Sequence, residues 1–126
     1  MKLQAFLAIV ALVGLLFGIA FVLAPAQALA PYGITADGHL ALLTRFYGVT
    51  LVTVALIFWF ARSIADPRSL RAILIGGLVG DLIGVVVALQ GQLTGLVNSL
   101  GWLTVVIYGL FALGFAYFQF GRSSSN

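Results

Sequence analysis

The chain has 126 residues, of which 63% are apolar by type and only 7% charged, with a formal net charge of +3. A soluble domain carries about a quarter charged residues, so six basic and three acidic side chains cannot cover a water-facing surface. Composition assigns an integral membrane protein and excludes a disordered chain, which needs low hydrophobicity and high charge.

Residue counts close several chemistries. There is no cysteine and no glutamate, and His39 is the single histidine. Disulfides, thiolate metal sites, covalent c-type haem, bis-histidine haem and multi-histidine metal centres are excluded within one chain. No cofactor or metal is implied. The basic residues flank apolar runs instead of forming a patch, which suits lipid headgroups and not nucleic acid.

The first apolar segment covers about residues 3–24. Lys2, the apolar stretch and the small-residue triplets Ala24-Pro25-Ala26, Ala26-Gln27-Ala28 and Ala28-Leu29-Ala30 look like a secretory leader. However, the stretch runs to about 20 residues against the usual 7 to 15 of a leader, and it carries Gly14-x-x-x-Gly18, a helix-packing pattern. It therefore reads as a retained helix. Pro25, Pro31, Gly33 and Gly38 interrupt the chain after it, with Tyr32 and Ile34 placed to fold back onto the interface.

The second segment covers about 39–62, the third about 70–90 and the fourth about 96–118. Each is long enough for a helix to cross about 30 Å of hydrocarbon, and none shows the alternation of barrel strands. Asp66 is a fitting N-cap with Pro67 at the first helical position. The short links at 63–69 and 91–95 make antiparallel neighbours of the helices they join. The expected fold is all-α, a single transmembrane domain 1–126 built as an antiparallel four-helix bundle. Lys2, Arg62, Arg68, Arg71 and Arg122 share one side, and the opposite loops hold no lysine or arginine. The positive-inside rule puts both termini in the cytoplasm of a multi-pass cell-membrane (inner or plasma membrane) protein.

Two ions lie within the spans. By helical rise, Arg45 lies about 9 Å and Asp81 about 13 Å from the outer side. At nearly one depth, on helices joined by a short link, they are expected to pair, because each alone costs about 2.5 to 3.5 kcal/mol at a helix centre. Thr44 and Tyr47 beside Arg45, Thr50 and Thr53 deeper on the second segment, and Thr104 and Tyr108 on the fourth can extend a polar interior. Asp37, His39, Gln90, Gln92 and Asn98, a further supporting polar residue, fall at or near the outer surface, either as caps on helix ends or as a vestibule toward Asp81. A helix-packing seam is expected along Ala72, Gly76, Gly80, Gly84 and Ala88, four residues apart on one helix.

The strings Arg45-Phe46-Tyr47-Gly48, Gly76-Gly77-Leu78-Val79-Gly80-Asp81-Leu82-Ile83-Gly84 and Gln90 through Asn98 to Trp102 resemble small, uncharacterised bacterial four-helix integral membrane proteins. The resemblance covers most of the chain from the second segment onward and implies the fold without an activity. Small multidrug transporters are similar in length, but here the first segment has no carboxylate and the charge bias is strong. The expected function is a non-catalytic small subunit or assembly factor whose partners are the bilayer and other subunits or copies of itself. The alternative is a small proton-coupled transporter titrating Asp81. An enzyme is disfavoured, since one carboxylate, one arginine and two tyrosines make a poor acid/base or redox set.

Overall fold

A computed structural model describes residues 2–121. Every regular element among them is helical. The long helices are α1 (Leu3–Leu23), α3 (Gly38–Ala61), α4 (Pro67–Leu93) and α5 (Gly101–Ala116), which ends in a π-helical turn, Tyr117–Gly121. Four spans, α5 counted with its π turn, are long and apolar enough to cross a membrane. A short helix α2 (Pro25–Leu29) and a 3-10 turn (Ala30–Tyr32) separate α1 from α3. The chain divides into two compact units, one ending at Arg62 and one starting at Ser63. Each is an antiparallel helical hairpin.

Local chemistry sets the helix ends. Pro25 lacks an N–H donor and stops α1, then opens α2 at its first position. The 3-10 turn closes at Gly33, whose φ of 79° suits glycine. Its N–H reaches the Ala30 carbonyl at 2.9 Å and that of Ile34 the Leu29 carbonyl at 3.4 Å, the paired bonds of a Schellman stop. Asp37 caps α3 by accepting from the Leu40 N–H at 2.7 Å. Asp66 caps α4, with Pro67 next, as the sequence anticipates.

α4 runs three residues further at each end than the apolar pattern of 70–90 suggests. Pro67 needs no donor in the first turn, and Gly91 and Gln92 are carried into the helix until Gly95, at φ +77°, ends it. A second Schellman pair forms there, Leu96 N–H to Gly91 O at 3.2 Å and Gly95 N–H to Gln92 O at 3.3 Å. The fourth span starts at Gly101, not near residue 96. Asn98 accounts for the delay, because its Oδ1 accepts from the Leu100 N–H at 3.0 Å and holds the preceding residues in a turn.

In the first hairpin the buried residues Phe6, Leu7, Val10, Ala11, Gly18 and Phe21 of α1 recur at helical spacing and face α3, where Gly48 and Ala55 are buried. A Cβ on Gly18 would stand 2.9 Å from the Gly48 carbonyl oxygen, and one on Gly48 2.7 Å from that of Gly18. The two backbones touch. In the second hairpin Phe115 is fully buried against Gly77, where a Cβ would come within 2.6 Å of its ring. The Tyr108 ring covers Gly84 in the same way.

Candidate functional site

Polar side chains along α3 make local contacts. Thr44 is buried and donates to the Leu40 carbonyl at 2.8 Å. Thr50 donates to Phe46 O at 3.1 Å and Thr53 to Val49 O at 3.0 Å. Each bond returns to the carbonyl four residues back, a common mid-helix bond of serine and threonine. Tyr47 stacks on Phe21 with ring centroids 5.6 Å apart and planes at 30°.

Arg45 has a partner that sequence reasoning missed. Its Nε donates to the Val22 carbonyl at 3.2 Å, in the last turn of α1. Those carbonyls lack intrahelical donors because the helix stops at Pro25, and a cation is favoured at the negative end of a helix. The sequence carries half of the signal, a proline ending one helix; the other half, an arginine beside that end, needs the two helices placed together. Thr44, Arg45 and Tyr47 thus all belong to the α1–α3 hairpin, with Arg45 tying the end of α1 to the second turn of α3.

Asp81 lies midway along α4 and is half-buried. Four residues after Gly77 and three before Gly84, it shares the face that packs on α5. Among the described residues no hydrogen bond or ion pair within this hairpin reaches its carboxylate. Tyr108 is half-buried one turn away, over Gly84.

The small-residue stripe is only partly used within this hairpin. Gly84 meets Tyr108, and Ala88 is half-buried on the same face. Ala72, Gly76 and Gly80 are exposed, and a Cβ on either glycine would meet nothing within 4 Å. A strict spacing of four drifts about 40° per step around a helix of 3.6 residues per turn. The contact instead alternates steps of four and three through residues 77, 81, 84 and 88. Gly77, outside the expected seam, is therefore the residue that receives Phe115.

The polar residues between α4 and α5 organise a chain reversal. Gln92 Nε2 donates to the Asn98 carbonyl at 3.1 Å, which also accepts from Gly101 N–H at 2.9 Å. The Thr94 hydroxyl donates to Gln90 O at 2.7 Å. His39 is exposed in the first turn of α3. Among the described residues no three His, Cys, Asp or Glu side chains converge. Chemically, the arrangement offers one carboxylate able to take up a proton or a cation, and one arginine already holding a helix end.

No family, curated protein or solved structure matches this chain. The resemblance to small four-helix membrane proteins rests on the motifs quoted above, and these comparisons neither support nor oppose it.

Proposed function

We propose that the chain is a multi-pass protein of the cell membrane, with both termini cytoplasmic, that works without catalysis as a small subunit or assembly factor through helix and lipid contacts. One observation supports this reading: polar side chains along α3 are spent on structure, Thr44, Thr50, Thr53 and Arg45 all bonding to backbone carbonyls. The helices otherwise present apolar side chains. Leu74 is the one buried residue of α4 among those described, and Val79, Leu82, Ile83, Val86 and Val87 are exposed, surface that suits lipid or a partner helix. Lys2, Arg62, Arg68 and Arg71 mark the cytoplasmic side. Arg122 lies outside the described residues.

The reading keeps the pairing of Arg45 with Asp81 that their similar depth leads one to expect. Nε is committed to α1, but a guanidinium has five donors and its terminal nitrogens remain to meet a carboxylate of similar depth. Such a pair would serve as a register device, the best attested role of an interior ion pair.

The second reading, a proton-coupled transporter, draws on Asp81 having no partner within its own hairpin, since interior carboxylates often mark proton pathways. Asp81→Asn separates the two. A subunit melts at lower temperature in detergent, and proteoliposomes show no flux driven by a proton gradient with either chain. A transporter shows flux that the substitution abolishes while the melt stays put.

A further inference from the structure

The end of the first hairpin where the chain enters α1 and leaves α3 gathers cations without an anion. Lys2 directly precedes α1, and Arg62 directly follows α3. Gln4 Nε2 donates to the Arg62 carbonyl at 3.4 Å, so the two helix ends are side by side. Arg62 is held in place: its Nε donates to Trp59 O at 3.0 Å, and its guanidinium carbon stands 3.6 Å from the centroid of the Trp59 ring. These contacts use one N–H and one face of the guanidinium plane, leaving the terminal nitrogens as a preset fork. The hairpin's one carboxylate, Asp37, caps the opposite end of α3, about 35 Å away by helical rise. Among the described residues, neither cation has an anionic partner in this hairpin.

A positive corner with an oriented fork, an interfacial tryptophan beneath it and the exposed Phe60 beside it matches a ligand with an anionic head and an apolar tail. We propose that Arg62 and Lys2 hold the phosphate of an anionic phospholipid, Arg62 by a bidentate contact and Lys2 as a point charge, with the acyl chains along the apolar end of α3. The site rests on the membrane placement proposed above and adds a lipid class to it. It lies wholly within one hairpin.

The test is native mass spectrometry of the full chain purified in mild detergent with equal phosphatidylglycerol and phosphatidylcholine. The expected result is preferential retention of phosphatidylglycerol, reduced roughly tenfold by Arg62→Gln, the loss of a charge-assisted hydrogen-bonded contact. Arg62→Lys keeps the charge but loses the planar fork. It is expected to reduce retention severalfold, and it serves where Arg62→Gln does not fold. Arg68→Gln removes the same charge from the other hairpin and is expected to leave retention unchanged. Equal losses in Arg62→Gln and Arg68→Gln, or full retention in Arg62→Lys, would overturn the site. Displacement of the adduct by added inorganic phosphate would likewise overturn the lipid as occupant. A chain outside the membrane carries neither lipid, whereas a membrane chain without the site carries both indifferently, so the two failures are distinguishable.

Discussion

The two hairpins use glycine for different ends. Between α1 and α3, Gly18 and Gly48 bring two backbones together, each carbonyl occupying the space a side chain would take. Between α4 and α5, Gly77 and Gly84 are recesses that receive the rings of Phe115 and Tyr108. Backbone against backbone has no freedom to adjust, whereas a ring in a recess can turn or be shortened. Glycine content alone does not separate these cases. What the opposing atom belongs to does.

The largest expected effect is at the backbone contact. Gly48→Ala should cost about 1 to 3 kcal/mol by overpacking, seen as a lower melting temperature in detergent, with no single truncation of a facing side chain restoring it. Gly77→Ala should cost less, and Phe115→Leu in the same chain should recover part of the loss, because the obstructing atoms belong to a side chain. Recovery of Gly48→Ala by trimming Val22, which also approaches that position, would erase the distinction between the hairpins.

A smaller effect, of opposite sign, is expected on the bare face of α4. Gly76→Ala and Gly80→Ala place a methyl in open space and should stabilise the helix by roughly 0.5 to 1 kcal/mol, the usual gain of alanine over glycine in a helix. A lowered melting temperature in both would mean that another helix covers this face in the assembled protein.

The smallest effect concerns Asp66, whose carboxyl is held below the ordinary carboxylate range by the Ser69 hydroxyl, then by the Ser69 N–H, with a lesser contribution from the Arg68 N–H. A pKa lower in the folded than in the unfolded chain means that the cap contributes fully above the unfolded value of about 3.9 and is lost as pH falls through the folded one. Melting temperatures recorded from neutral pH to pH 3 should therefore drop slightly more for the wild type than for Asp66→Asn, and parallel curves would show that the cap is not coupled to unfolding.

Much of the architecture was legible in the residues. Four long apolar stretches, Pro25 as a stop and Asp66-Pro67 as a start each rest on local chemistry that tertiary packing does not override. The start of the fourth span was hidden because Leu96 and Val97 continue its apolar pattern, and only the Asn98 turn reveals that they precede the helix. The face of α4 that meets α5 departs from the even spacing of Ala72, Gly76 and Gly80, which a helix of 3.6 residues per turn rotates away from Gly77 and Gly84. The contact of Arg45 with Val22 joins residues 23 apart in sequence, and it becomes visible only once the end of α1 and the second turn of α3 are known to be neighbours.

The most direct measurement of the proposed ion pair is a double-substitution cycle, comparing detergent melting of the wild type, Arg45→Leu, Asp81→Leu and the double variant. A lone interior ion is the costly state, so each single should melt well below the wild type and the double above the worse single. Losses that simply add in the double variant would contradict the pairing of Arg45 with Asp81.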